Sequence, residues 1–183
     1  MTTTPHYGID EHRHRFALWA AARAAQRGLR GGSNAALANA IETCGVVEVV
    51  RAPAKTWPGT ASTFDDVHVR WCENAMAKLD ARGVATTFGR AAKLIAIYLK
   101  TAVVSAGFQD SPFAQILHPP IDDILLRALA KDSTFTNTSR QLWRQIRWTQ
   151  LDRDSYVDLI RSLRAERLDT PAFWMIERFW RVT

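Results

Sequence analysis

From Thr87 to Ser105 the chain reads TFGRAAKLIAIYLKTAVVS, a helical run that is apolar nearly all the way round. A helix with no polar face cannot rest on a surface; it needs neighbours on every side. The rest of the chain supplies them. Residues 11–27 carry Phe16, Trp19, Ala20 and Arg23 at helical spacing, and Gly28 with Gly31 and Gly32 ends the run. A second helix is expected over 34–44, after a cap near Ser33 and before Gly45. A third runs from a capping box at Ser62-Thr63-Phe64-Asp65-Asp66 to Ala81. Beyond the central helix, Ser111-Pro112 starts a short one, and Pro119-Pro120 opens another that reaches about Lys131. Further helices are expected over 138–148, over 153–167 behind the cap Asp152, and over 171–181 after Thr170-Pro171.

No segment alternates polar and apolar residues long enough to build a sheet. The β-branched run VVEVVRAP, residues 46–53, has nothing nearby to pair with, so it reads as the tail of the second helix or an extended link. Residues 1–10 read as a loose arm, and AKTWPGTAS, residues 54–62, as a loop. The expectation is an all-α, single compact domain of about eight or nine helices around a buried central one. Its 47% hydrophobic residues suffice for a sizeable core.

Several function classes fall away. Cys44 and Cys72 make neither a disulfide framework nor a metal site and read as small core residues. His12 and His14, two apart, point to nearly opposite sides of a helix and cannot share a metal. The H-E-x-x-H signature, the Walker loop, the dinucleotide fingerprint and the G-x-S-x-G elbow are all missing. No Arg stands before a His at the spacing of small helical ribonucleases, and no helix-turn-helix pair is evident. No metal and no cofactor are therefore expected. The first fifteen residues lack an apolar signal core, and LIAIYLKTAVVSAGF is interrupted by Lys100 and too short to span a bilayer, which predicts a cytoplasmic protein with no membrane role.

The charge balance is more informative. The net charge is +6, and 19 of the 24 basic residues are Arg. The planar guanidinium fork suits phosphates and carboxylates, although Arg-rich, Ala-rich chains also arise from GC-rich coding sequence. Arg140, Arg144 and Arg147 form one basic ridge, extended by Arg161 and Arg164; Arg13 to Arg30 form a second. Asp152, Asp154, Asp158 and Glu166 stand close enough to satisfy some of these through simple helical pairs. Seven Trp are unusual for 183 residues.

Two groups carry potential chemistry. Arg90, Lys93 and Lys100 fall within about 80° of one another on the central helix. That stripe is either a solvated face or, if Lys93 is partly desolvated, the setting for a neutral amine that attacks carbon. Asp122 and Asp123, after His118-Pro119-Pro120-Ile121, sit at the start of a helix, where the dipole favours a carboxylate. Such residues are commonplace helix starts, or they hold a rigid ionised acid that stabilises a cation.

Gly89 followed by Lys93-Leu94-Ile95-Ala96-Ile97-Tyr98-Leu99, and then Pro120-Ile121-Asp122 followed by Ile124-Leu125-Leu126, resembles the helix-hairpin-helix DNA glycosylases that have a lyase step. The separation of 29 residues between Lys93 and Asp122 is similar to that in the 8-oxoguanine glycosylases with a relaxed hairpin. Tyr156-Val157-Asp158-Leu159-Ile160 and Ile176-Glu177-Arg178-Phe179 resemble the closing helices of that branch. The resemblance covers mainly residues 88–126. The stretch Thr86 to Arg90 has a single Gly, Lys93 lies four residues past it, and His118 with the double proline is an addition to the pattern.

The resemblance implies a protein of DNA repair that binds DNA and excises a base. Lys93 would attack the sugar and Asp122 would stabilise the sugar cation. Arg90, Lys100, His118, Asp123, Arg140, Arg144 and Arg147 would bind the substrate, with Trp143, Trp148 or Trp174 stacking on the displaced base or wedging into the gap. The alternative is a non-catalytic helical module that binds nucleic acid or protein, for example an accessory protein of a bacterial defence system or mobile element.

Overall fold

The computed structural model describes residues 7–51, 57–166 and 170–181, and among these it is helical throughout, with no strand. Helices α1 (Ile9–Gln26), α2 (Asn34–Thr43) and α3 (Val46–Arg51) lead into α4 (Ala61–Asp80) and α5 (Phe88–Leu99). The last continues as a π-helical segment, Lys100–Phe108, which is kinked at Gly107 (φ +94°). Helices α6 (Pro112–Ile116), α7 (Asp123–Lys131), α8 (Asn137–Gln145) and α9 (Arg153–Ala165) complete the set, with 3₁₀ turns at Trp148–Gln150 and Phe173–Phe179.

The all-round apolar helix is the centre. It packs against α1, α2, α4, α9 and the Trp148–Gln150 turn. Leu94, Ile95, Tyr98 and Leu99 are fully enclosed. Close approach of α1 and α5 follows from small residues on both: Ala17, Ala21, Ala22 and Ala25 on one, Ala91, Ala92 and Ala96 on the other, all buried. Counting the π segment, Phe88–Phe108 is 21 residues and is long and apolar enough to cross a membrane by length and composition; half of its most apolar window is buried inside the fold. That makes it longer than the run from Leu94 to Phe108 suggested, because the helix already begins at Phe88.

Most starts are set by side-chain caps, which take up amide protons left unpaired at a helix N-terminus. Ser33, Thr87, Ser111, Asp122, Thr136 and Asp152 each accept from the amide three residues on. The third expected helix starts behind Thr60 rather than Ser62, because the Thr60 hydroxyl accepts from Thr63. Pro119 and Pro120 do not open a helix. They lie outside any helix, between α6 and α7, and α7 begins at Asp123 because Asp122, at φ −149°, turns its carboxylate onto the Leu125 amide. VVEVVR is neither a tail nor a link but the separate helix α3, since Gly45 at φ +103° breaks it from α2. Residues 52 and 53 of that run lie outside the described residues, as do 54–56 of the expected loop. The N-terminal arm is shorter than expected: α1 already begins at Ile9, and residues 1–6 lie outside the described residues. The helix expected over 153–167 ends at Ala165, and residue 167 lies outside the described residues. The last is a 3₁₀ run, Phe173–Phe179, inside the expected 171–181.

Cys44 and Cys72 are free and buried.

Candidate active site

Lys93 leaves α5 toward the start of α7. Its Nζ lies 3.1 Å from Asp122 Oδ2, with the two side chains only 11% and 14% exposed. Asp122 is held on both oxygens. Oδ1 accepts the Leu125 amide at 2.9 Å, and Oδ2 also accepts the Trp180 indole N–H at 3.2 Å. The cap that starts α7 and the acid that meets Lys93 are therefore one side chain, so the carboxylate cannot swing away without uncapping its helix. The indole of Trp148 lies over the ammonium, 4.5 Å from ring centroid to Nζ, a cation–π contact.

The position of Trp148 traces back to Gly89. The 148–151 turn docks on the first turn of α5: the Gly89 amide donates to Leu151 O at 3.0 Å, and the Thr87 hydroxyl donates to Thr149 O at 2.9 Å. A Cβ on Gly89 would stand 2.0 Å from Trp148 O, so only glycine admits this backbone approach. The amides of Gly89 and Arg90 already have acceptors in Leu151 O and Thr87 Oγ1, and neither is left for a phosphate. Arg90 adds a second layer over the same indole, 5.5 Å from its centroid, while donating to Arg27 O and Gly28 O at the end of α1.

Seven residues along from Lys93, Lys100 pairs with Glu177, which is 12% exposed. Burial pushes the Glu177 carboxyl up; the Lys100 ammonium opposes this, and the negative charge of Asp122 adds to the rise. Glu177 Oε1 is buried without a hydrogen-bond partner. Two lysine–acid pairs thus lie in succession along the central helix.

Beside them, a cleft of about 660 Å³ opens between the start of α7, the end of α8 and the loop 145–150. Trp148, Asp123, Arg127, Arg144 and Arg147 line it. Asp123 is engaged by Arg127 at 2.8 Å. Arg144 and Arg140 both donate to Ala130 O, closing the C-terminal end of α7. Arg147 is exposed in the cleft wall. Among the described residues no group of His, Cys, Asp and Glu is arranged to hold a metal ion.

Not every expected contact converges here. Trp143 reaches the wall of the cleft, but it is only 1% exposed and donates to Ser162 Oγ at 2.9 Å, so it is core and unavailable for stacking. Trp174 is half-buried, its indole nitrogen enclosed without a partner. Of the Arg expected to extend the ridge, Arg161 pairs with Asp158 and Arg164 grips Asp65 with both terminal nitrogens.

His118 is 3% exposed and faces the core, not the cleft. Its Nε2 is 2.7 Å from Asp65 Oδ1 and its Nδ1 is 3.1 Å from the Tyr156 hydroxyl. Burial lowers its pKa against the raising influence of Asp65, which fits a neutral ring donating from Nε2 and accepting the Tyr156 proton. The Asp65 carboxyl, raised by burial, is brought below its ordinary value by the hydrogen bonds from His118 and Arg164. The ring of His68 lies 4.4 Å from that of His118. This network ties α4, α9 and the non-helical 117–121 segment together, four residues ahead of Asp122.

Trp180, Glu177 and Asp65 were not legible as a site. Trp180 and Glu177 come from the far end of the chain; the tail motif Ile176-Glu177-Arg178-Phe179 was the only signal for Glu177, and it stops one residue short of Trp180. Comparison of the chain with protein-family models, curated proteins and solved structures finds no match.

Proposed function

We propose that this protein acts on DNA as a base-excision enzyme of the glycosylase and lyase type, with Lys93 as the amine nucleophile and Asp122 as its partner acid. One observation carries the reading: an amine from α5 and a carboxylate at the start of α7 meet at 3.1 Å, nearly desolvated, under an indole and beside a basic cleft. The contact is short enough for the carboxylate to take the proton that the amine must lose. The displaced nucleotide would enter the cleft along Trp148, with Arg144 and Arg147 meeting phosphates. Lys93 Nζ gives its electron pair to the anomeric carbon, the glycosidic bond breaks toward the base, and the base leaves with a proton from solvent. Asp122, fixed by Leu125 and Trp180, holds the proton taken from Lys93 while the base leaves. Ring opening then yields an imine. Once the proton on Asp122 has passed to solvent, the ionised carboxylate stabilises the positive charge on the protonated imine.

A second reading is favoured by the enclosure of the pair. At 11% and 14% exposure, Lys93 and Asp122 also make sense as a bridge that fastens α5 to α7 in a non-catalytic binding module. Borohydride reduction in the presence of oligonucleotides bearing an abasic site or a damaged base separates the two. The enzyme reading expects a covalent adduct with the wild type and none with Lys93→Gln. No adduct across the panel leaves the binding module.

A further inference from the structure

The exposed side of α1 carries His12, Phe16, Trp19, Arg23 and Arg27 in one stripe, at spacings of three and four residues. Phe16 is 53% and Trp19 56% exposed, and their rings stack on each other at 5.7 Å between centroids and 29° between planes. Large aromatic side chains held open to water in this way lose apolar burial with no return inside the fold. No carboxylate lies on the stripe; Glu11, beside it, is taken up by Arg15 at 2.6 Å. Among the described residues, Arg23 makes no ion pair. The stripe ends where α1 ends, and there Arg90 donates to Arg27 O and Gly28 O while lying over Trp148. From Phe16 to Arg27 a cationic and aromatic track thus runs about 16 Å along α1, at 1.5 Å per residue, and joins the roof of the Lys93 site.

From this we infer that α1 is a docking strip for single-stranded nucleic acid, in which unstacked bases lie on Phe16 and Trp19 and phosphates meet Arg23 and Arg27. The charge decides the occupant. A second copy of this chain would bring another Arg-rich face against this one, whereas a polyphosphate backbone neutralises it. Aromatic rings take bases regardless of sequence, and base edges inside a duplex do not offer the faces that these rings need. The inference rests on the nucleic-acid part of the reading above and not on the imine chemistry.

The test uses the full chain and a fluorescein-labelled dT20 strand, read by anisotropy at several salt concentrations. Trp19→Ala should weaken binding by about five- to a hundredfold. Arg23→Gln with Arg27→Gln should reduce the salt dependence by about 1.4 in log–log slope. Trp19→Phe should retain most of the affinity. Because these side chains are exposed, circular dichroism is expected to match the wild type in every variant. Equal binding by Trp19→Ala, or no binding of dT20 by the wild type, overturns the inference. So does concentration-dependent self-association that Trp19→Ala abolishes, which assigns the strip to a second copy. Borohydride trapping, measured in parallel, keeps the two readings apart. Weakened dT20 binding without any adduct leaves the strip standing and the chemistry fallen; an adduct with unchanged dT20 binding does the reverse.

Discussion

Replacing Gly89 with Ala tests how the site is built, because it adds one carbon at the point where two backbones touch. The new Cβ would lie 2.0 Å from Trp148 O and 3.1 Å from Leu151 Cβ, and the first of these is a backbone atom that cannot rotate aside. The 148–151 turn must therefore retreat. Overpacking costs about 1–3 kcal/mol. Loss of the Gly89 to Leu151 hydrogen bond costs about 1 kcal/mol more. Against this, Ala is favoured over Gly in a helix by about 1 kcal/mol, and less in a first turn. The net expectation is a loss of about 1–3 kcal/mol, or about 2–12 °C in Tm for a chain of this size. The retreating turn also carries the Trp148 indole off Lys93, so tryptophan emission should shift and borohydride trapping should fall. Urea unfolding followed by far-ultraviolet circular dichroism reads the stability. A Gly89→Ala protein as stable as the wild type, with unchanged emission, would falsify the claim that glycine is required there.

Removing each partner of the central pair should be unequal. Asp122→Ala strips α7 of its cap and leaves Lys93 nearly buried and unpaired, for a loss of about 3 kcal/mol or more; Lys93→Met leaves Asp122 bound to Leu125 and Trp180 and should cost less in the same urea titration. Trp180→Phe removes one hydrogen bond from Asp122 Oδ2 and should cost about 1 kcal/mol, with slower adduct formation if the chemistry is as proposed. Burial holds the pKa values of His14, His68 and His118 below the ordinary 6.5, so the unfolded chain takes up protons that the native one refuses. Stability is then complete above that pH and falls as the pH drops through it, with Asp65 adding a further loss in the acid range. Thermal melts at pH 7.5 and 5.5 should show the decline, and His68→Leu, which also removes the partnerless Nε2, should make it shallower; an equal decline in that variant removes His68 from the account.

The helical character of the chain was legible because its signals are local. Apolar spacing on α1 and α5, and caps such as Ser33 and Asp152, lie within a few residues of what they control. Lys93 and Asp122 also stand out locally, one as a charge in an apolar helix and the other as an acid at a helix start. The geometry that joins them was not legible. Trp148 reaches Lys93 only because Gly89 admits a distant turn, and Trp180 reaches Asp122 from 58 residues away. His118 misled for the same reason: beside two prolines and two acids it reads as part of an open site, and only the packing of Asp65 and Tyr156 around it shows a buried tie. Pro119-Pro120 looked like a helix start because proline is common there; the Asp122 side chain, by capping, moved the start downstream.

The widened turns from Lys100 to the kink at Gly107 make the central rod longer in sequence than in space. There the chain holds slack: deleting one residue lets the widened coil tighten to the ordinary pitch, with everything beyond it nearly in place. The same deletion among residues 90 to 99 has no slack to draw on, and it would turn every later side chain on the rod by about 100°. Length variation among related chains should therefore collect just after Leu99, while the stretch that aims Lys93 keeps its count.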